Sequence, residues 1–381
     1  MQPTEQPRTL CRRLAIGLLK VVAALISLAA VCLLVDTALP RLTCRPGSWS
    51  GPVSDHFDGE HFHNGRPAAK LHASWKKWLA DRPTRGEYPR TDRNEHTPQL
   101  APRVEGAEWE ATLVNHSTFL LRTAGQNILT DPVWSDYTSP VQFAGPKRCR
   151  PVGIEWDALP RIDVCFLSHN HYDHFDADTL RRLTKRDNPL YIVPLGLKSL
   201  LLYHCGPVRC IELDWWQSHT YNGITYTLTP AHHWSNRYKG SAAARRSLWG
   251  GLYLTSPGGP SLYFVGDSAA SPFFADIRRR LGSPDLALIP IGAYHPDWIK
   301  NNHMGPYEAV DCFRTLSPRL ALACHFGTWQ LANEGYQETL DDLASALRLS
   351  HIPPHLFLPA LNGQTFRGKA NYMHTTTDSK Q

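Results

Sequence analysis

The hydrophobic pattern of the chain begins with one long apolar run, which covers residues 14–35 and contains Lys20 as its only charge. A helix of that length spans about 33 Å, roughly one hydrocarbon core. Arginines at positions 8, 12 and 13 precede it, so the positive-inside rule predicts a cytoplasmic segment 1–13, a transmembrane helix, and the remaining chain on the non-cytoplasmic side. A cleaved signal peptide is the alternative, although the run is long for one and no clean cleavage motif follows it.

Residues 36–104 form a less regular region between this run and the rest of the chain. Its first part, 36–66, is rich in proline, glycine, histidine and aspartate and predicts a linker. Its second part predicts an accessory helix over 67–81, in which Trp75, Trp78 and Leu79 recur at helical spacing. That helix either packs on the domain or lies at a lipid interface, where tryptophan and lysine are common.

From residue 105 to residue 370 the pattern alternates between short apolar segments and amphipathic helices, and a polar tail, 371–381, follows. We predict strands within 109–121, 126–134, 161–170, 188–195, 211–216, 224–233, 250–260, 261–268, 285–294, 319–329 and 355–361. We predict helices over 176–186, 195–204, 271–282, 306–316 and 338–349. This order is typical of an α+β domain in which two sheets pack together and helices cover them.

Composition narrows the possible functions. Hydrophobic residues make up 42% of the chain and charged residues 19%, as in a globular protein. The formal net charge is only +6 and no basic run occurs, so nucleic acid is not an expected partner. The nine cysteines are odd in number and include no CxxC, which argues against a disulfide framework.

A dense cluster of candidate metal ligands follows the apolar segment VCFLS. It reads His169-Asn170-His171-Tyr172-Asp173-His174. A turn after a strand can direct two of these side chains to one side and two to the other. Imidazole and carboxylate suit zinc, and two neighbouring metals suit hydrolysis.

Four ligands do not fill two metal sites, so the others are expected at later strand ends. His232 and His233 follow ITYTLTPA, Asp267 follows SLYFVG, and His325 follows LALAC. Taken alone, each would more often be an ordinary satisfied polar residue. Their order at successive strand ends favours a metal site.

This order of ligands resembles the metallo-β-lactamase superfamily, whose fold is a four-layered αβ/βα sandwich with the metals at one edge of the sheets. The segments TDPVW, GPKR, SHNHYDH, ELDWW, TPAHHW, IPIGAY and HFGTWQLANE are similar to those of N-acyl-phosphatidylethanolamine-hydrolysing phospholipase D and its bacterial relatives. The resemblance covers residues 105 to 366 approximately. It implies two zinc ions and a phospholipid substrate. The location, the periplasmic face of a bacterial inner membrane, is expected from the apolar run and its preceding arginines alone.

The resemblance also implies individual roles. His169, His171 and His233 would hold the first metal, Asp173, His174 and His325 the second, and Asp267 would bridge both. His303 and Asp267 would act in catalysis. His116 and Thr118 would support the ligands, although the family usually has Gly-His-Ala-Thr where this chain has Asn-His-Ser-Thr. The residues expected to bind substrate are Lys147, Arg148, Gln142, Phe143 and Tyr294.

Three functions compete on these grounds. The first is a phospholipase D-like phosphodiesterase that uses a metal-bridging hydroxide on a lipid at a bilayer. The second is a lactonase or another carbonyl hydrolase. The third is a membrane-bound scaffold with a vestigial metal site, which the complete ligand set argues against. The sequence leaves the oligomeric state open, including a homodimer.

Overall fold

The computed structural model of the chain describes residues 15–25, 27–28, 31, 47–65, 80, 85–98, 100, 103–237 and 244–370. The strands are β1 (Glu108–Asn115), β2 (Thr118–Thr123), β3 (Gln126–Thr130), β4 (Val164–Phe166), β5 (Leu190–Pro194), β6 (Arg209–Leu213), β7 (Ser218–Tyr221), β8 (Ile224–Thr229), β9 (Gly251–Thr255), β10 (Ser261–Phe264), β11 (Leu286–Pro290), β12 (Leu320–Cys324), β13 (Phe357–Pro359) and β14 (Thr365–Lys369). The helices that flank them are α1 (Ala177–Arg186), α2 (Leu197–Cys205), α3 (Phe273–Leu281), α4 (Pro306–Leu316) and α5 (Tyr336–Leu349).

The strands form two seven-stranded mixed sheets. The first has the order β14-β1-β2-β3-β4-β5-β6 and the second β13-β12-β11-β10-β9-β8-β7. In the first sheet β14 to β3 pair antiparallel and β3 to β6 pair parallel. In the second, β13 to β10 pair parallel and β10 to β7 antiparallel. Each helix lies in a connection between parallel strands, as such crossovers require.

Strand alternation explains the layers. In β2, Phe119 and Leu121 belong to the core between the sheets, whereas Leu120 points to the other face. There it joins a second core with Leu180 of α1 and Leu200 of α2. Successive side chains of a strand point to opposite faces, so one apolar strand serves both cores. The predicted four-layered α+β sandwich is confirmed.

Part of the predicted linker is not a linker. Phe57 and Phe62 are each 1% exposed, pair through an isolated β-bridge and belong to the core between the sheets. His56 stacks on Trp215 with ring centroids 4.4 Å apart. The sequence missed this packing because these apolar residues are isolated and show no period. Segment 47–65 is therefore part of the folded domain.

Several predictions fall on other parts of the N-terminal region and on the tail. The accessory helix 67–81 and the tail 371–381 lie outside the described residues, apart from Ala80, which is helical. Residues 15–25, 27, 28 and 31 are helical too. Within the part of the chain that the structure describes, no helix has both the length and the apolar character needed to cross a membrane. The predicted transmembrane helix 14–35, which lies partly outside that part, is therefore unsupported by the structure.

Candidate metal centre

The predicted ligands lie in loops that follow strand ends in both sheets. The turn 169–174 joins β4 to α1 in the first sheet. His233 follows β8, Asp267 follows β10, and His325 directly follows β12 in the second sheet. Because the sheets pack face to face, these loops meet at one common edge.

The first group of ligands is a compact set of three histidines and one aspartate. His169 Nε2 lies 2.9 Å from His171 Nδ1, and His233 Nε2 lies 3.3 Å from the same atom. Asp267 Oδ2 lies 3.7 Å from His169 Nε2 and 3.6 Å from His233 Nε2. All four candidate ligand atoms lie within 4.8 Å of one another.

The second group surrounds Asp173. Asp173 Oδ2 lies 3.4 Å from His174 Nε2 and 3.5 Å from His325 Nε2. Asp267 Oδ2 lies 3.2 Å and 3.1 Å from those same two nitrogens. One carboxylate oxygen therefore faces both groups, which is the position that a bridging ligand needs.

Two geometric properties of these groups fit bound metal ions. Ligands of a tetrahedral zinc lie roughly 3.3 Å apart when the bonds are about 2.0–2.1 Å, close to the distances above. Both oxygens of Asp267 and the Nε2 atoms of His174 and His325 are buried without a hydrogen-bond partner among the described residues. Buried polar atoms are normally satisfied, so these atoms point to a ligand that they share.

The charges of the cluster favour a cation. Burial would raise the pKa of Asp267, but the positive charges of His174 and His325 outweigh it and hold the pKa well below the usual range. Burial would lower the pKa of His325, yet Asp267 and Asp173 raise it to about 9. Two anionic carboxylates therefore draw positive charge into a buried site. A metal ion supplies that charge when it displaces protons from its ligands.

Asp131, which directly follows β3, orients the candidate ligand His174. Its Oδ2 accepts hydrogen bonds from His174 Nδ1 at 2.6 Å and from Ser168 Oγ at 2.6 Å, while Oδ1 accepts one from Ser168 N at 2.7 Å. Such carboxylate–histidine contacts fix the tautomer and direction of a ligating imidazole. Asp131 lies in the segment TDPVW, which carries part of the family resemblance, but the sequence alone indicates no role for it.

His233 is oriented by two residues that the sequence did not single out. Its Nδ1 donates a hydrogen bond to the carbonyl oxygen of Asn302 at 2.8 Å. Its backbone N–H donates to Asn64 Oδ1 at 3.1 Å, and Trp249 Nε1 donates to the same oxygen at 3.1 Å. Asn64 lies in the predicted linker, so that segment braces the site directly.

Three further histidines near the site, His303, His116 and His232, differ in what they contact. His303 Nδ1 lies 3.8 Å from Asp267 Oδ2. Burial lowers its pKa to about 4, so the imidazole is neutral at pH 7. His116 Nε2 lies 3.2 Å from Asp173 Oδ2 and its ring lies 4.0 Å from that of His325, where it supports both predicted ligands. His232, also buried, belongs to none of the candidate ligand groups among the described residues.

Four non-glycine residues at or beside the site have a left-handed backbone conformation. His116, Asp131, Ala293 and His325 have φ of 44°, 35°, 62° and 59°. Non-glycine residues adopt this left-handed region at a cost, and they persist there only where the surrounding structure holds them. At His325 the N–H donates a hydrogen bond to the carbonyl of His116 at 3.0 Å, which ties two of these residues together.

A cavity of about 340 Å³ opens onto the two ligand groups. Asp267, His171, Asp173 and His303 form its polar floor. Its other walls are mostly apolar and consist of Thr138, Pro146, Tyr172, Trp234, Asn236, Ala293, Ile299, Leu331 and Ala332. A small polar floor under apolar walls is the usual composition of a small-molecule site.

The five residues expected to bind substrate lie outside these walls. Arg148 is half-buried behind them, where it donates a hydrogen bond to the carbonyl of Ser135 at 2.7 Å. Lys147 is exposed with its ammonium over the Tyr137 ring. The Tyr294 hydroxyl donates to Asp342 at 2.8 Å.

Gln142 and Phe143 complete the five. Gln142 bonds to the backbone of Tyr137, and Phe143 is 81% exposed. Pro146 of the GPKR loop lines the cavity, whereas phosphate binding by Lys147 and Arg148 of that loop stays a prediction.

The chain matches a protein family and several similar proteins. The family model described as beta-lactamase superfamily domain matches residues 126–326. The chain is 38% identical to the N-acyl-phosphatidylethanolamine-hydrolyzing phospholipase D 1 of Caenorhabditis elegans, over 61% of this chain and 68% of the relative. It is 36% identical to an uncharacterized protein of Mycobacterium tuberculosis, over 68% of this chain and 69% of the relative. It is 32% identical to the mitochondrial N-acyl-phosphatidylethanolamine-hydrolyzing phospholipase D of Saccharomyces cerevisiae, over 70% of this chain but only 58% of that relative.

Solved structures share the fold at low sequence identity. An isothiocyanate hydrolase from Delia radicum gut bacteria aligns with a TM-score of 0.55 at 20% identity, over 68% of this chain and all of that one. The metallo hydrolase Igni18 of Ignicoccus hospitalis aligns with a TM-score of 0.52 at 19% identity, over 70% of this chain and all of that one. Together with the family match and the convergent ligands, these similarities establish that the chain is a metal-dependent hydrolase of the metallo-β-lactamase superfamily, similar to N-acyl-phosphatidylethanolamine-hydrolyzing phospholipases D.

Proposed function

We propose that this hydrolase is a zinc-dependent phospholipase D-like phosphodiesterase that cleaves N-acylphosphatidylethanolamine-type phospholipids. The observation that carries the proposal is Asp267 Oδ2, which lies 3.1–3.7 Å from nitrogens of both ligand groups under an apolar cavity. Two nearby metals suit displacement at phosphorus. The similarity to relatives named for this lipid supports the choice of substrate.

The chain's own residues would divide the work between binding and chemistry. Bound zinc ions would activate water at neutral pH and draw electron density from the phosphoryl oxygens. His303, on the cavity floor, would donate a hydrogen bond to a phosphoryl or leaving oxygen. Trp234, Ile299 and Leu331 would pack against the apolar part of the lipid and exclude water. The water oxygen would form a new P–O bond while the P–O bond to the head group breaks, and the departing oxygen would take up the proton that the water gives up, which yields phosphatidic acid and an N-acylethanolamine.

A substrate panel tests the reaction class. We expect purified, metal-replete protein to hydrolyse N-acylphosphatidylethanolamine in mixed micelles to phosphatidic acid and N-acylethanolamine, measured by mass spectrometry of both products. Phosphatidylcholine, phosphatidylethanolamine and a set of lactones complete the panel. Brisk lactone opening with every phosphodiester lipid left intact would replace the phosphodiesterase with a carbonyl hydrolase.

We also propose that the enzyme is anchored in a bilayer by residues 14–35 and faces the non-cytoplasmic side. What supports the anchor is the apolar run itself, which is long enough to span a hydrocarbon core and contains Lys20 as its only charge. The orientation follows from the arginines that precede the run. A reporter fused after Gln381 should be active only if it functions outside the cytoplasm. Activity of a cytoplasm-only reporter at that position would reverse the orientation.

A further inference from the structure

A short hairpin beside the cavity holds its shape through its own hydrogen bonds. Tyr137 and Lys147 form a β-bridge at its base, and Thr138 N donates to the carbonyl of Pro146 at 3.1 Å. The Gln142 side chain accepts from Tyr137 N at 3.3 Å and donates to Tyr137 O at 3.2 Å. These bonds cross the hairpin, so its tip is held in a defined position. We call residues 137–147 the rim hairpin.

The tip of the rim hairpin presents an aromatic ring to solvent. Phe143 is 81% exposed, more than any other large hydrophobic side chain among the described residues. The rim hairpin contains no aspartate or glutamate, and Lys147 is its one basic residue. A single exposed apolar residue is ordinary on a protein surface. An exposed ring at the end of a braced hairpin, with a lysine close by in the chain, has the composition of an interfacial anchor.

The rim hairpin stands at the mouth of the cavity. Thr138 and Pro146, at its base, form part of the cavity wall together with Asp267 and His303. A lipid can enter the cavity from a bilayer only if the cavity mouth lies against the bilayer surface. Phe143 is three residues from Pro146 in the chain, so its backbone lies within about 11 Å of this wall.

A second exposed apolar pair lies across a small hollow from the rim hairpin. Gln142 of the hairpin and His204 of α2 both line this hollow. Tyr203 packs edge-on against His204 with ring centroids 4.9 Å apart, and Leu202 and Tyr203 are 42% and 46% exposed.

We propose that the rim hairpin inserts Phe143 into the interfacial layer of a phospholipid bilayer and holds the cavity mouth against it. The ring would lie at the level of the acyl-chain boundary, and Lys147 would reach anionic head groups. This inference rests on the proposed lipid substrate, because only a substrate drawn from a bilayer requires the mouth to meet one. It assigns Phe143 to the membrane surface and not to the cavity wall.

The first test measures insertion without reference to catalysis. Full-length Phe143→Trp protein is reconstituted in vesicles of phosphatidylcholine and phosphatidylglycerol at a ratio of about 3:1, with or without brominated acyl chains. The matched control is Leu349→Trp, because Leu349 is 69% exposed and ends α5, about 20 Å along the helix from Tyr336. We expect bromine to quench the added fluorescence of Phe143→Trp and not that of Leu349→Trp. Equal quenching in the two variants would overturn the proposal.

The second test measures use of vesicular substrate. We expect Phe143→Ser to lower kcat/KM on N-acylphosphatidylethanolamine in the same vesicles by about tenfold, because an apolar anchor is lost. Phe143→Leu, which keeps an apolar side chain, should stay within about twofold of the parent. A change in oligomeric state with Phe143→Ser would instead assign the ring to contact with a second copy of the chain, against the proposal. Quenching without lipid hydrolysis would refute the proposed substrate but support membrane docking. Hydrolysis without quenching would support the substrate and refute docking through Phe143.

Discussion

Asp267→Asn is expected to remove most of the bound metal and nearly all activity. The parent should contain about two metal ions per chain after gentle purification, and the variant about one or fewer. In the parent, Asp267 Oδ2 lies 3.1–3.7 Å from nitrogens of both ligand groups, so one substitution affects both. These nitrogens belong to His169, His233, His174 and His325. A neutral amide oxygen is a poor bridge between two cations. Because metal catalysis contributes several kcal/mol, we expect activity to fall by about 10³-fold or more.

The measurement is elemental analysis of the purified proteins beside a rate assay. Asp311→Asn is the matched control, since it makes the same change of charge at a side chain that is 71% exposed on α4. It should keep both the metal and the activity. Full metal content in Asp267→Asn would show that Asp267 is not a bridging ligand. Activity in parent protein that contains almost no metal would refute the metal centre itself.

The sequence predicted which candidate ligands would lie together, because their spacing is local or tied to strand ends. Residues 169–174 occupy one turn between β4 and α1, so their relation is fixed by a few residues of backbone. Asp267 and His325 follow apolar strands whose burial was readable from composition alone. The structure brings these residues together as expected, at the common edge of the two sheets.

The supporting residues could not be predicted in this way. Asp131 contacts a ligand 43 positions along the chain, and Asn302 and Asn64 contact His233 from 69 and 169 positions away. Each is a polar residue in a loop, and the hydrophobic pattern around it does not distinguish it from a solvated one; only the family segment TDPVW marks the position of Asp131. Its role depends on how the loops meet in three dimensions.

The elements of the fold likewise divide into those that the sequence predicted and those that it missed. The buried strands of both sheets were predicted because their apolar runs fill two cores. The edge strands β7 and β14 were missed, since SHTY and TFRGK are short, polar and partly exposed. Edge strands often carry polar and charged residues, so the sequence signal for them is weak. The packing of Phe57 and Phe62 was missed for want of any periodic pattern.

His303→Ala is expected to slow the reaction while the metal stays bound. His303 Nδ1 is buried without a hydrogen-bond partner among the described residues and lies 3.8 Å from Asp267 Oδ2 on the cavity floor. A donor at this position can stabilise charge on a phosphoryl or leaving oxygen. General acid–base or hydrogen-bond assistance of this kind contributes about 10²–10⁴-fold, so kcat should fall by that factor and KM should change little.

Two further variants distinguish hydrogen-bond assistance by His303 from metal binding and from an unspecific loss of activity. His303→Gln keeps an N–H donor and should recover part of the lost rate, whereas His355→Ala, at an exposed histidine far along the chain, should leave the rate unchanged. Metal content is measured for each variant, because Asp267, His303 and His325 also form a group within ligand distance of one another. If His303→Ala loses metal in proportion to activity, His303 is a ligand and not a hydrogen-bond donor to the substrate. If the metal stays and the rate is also unchanged, His303 has no part in the chemical step.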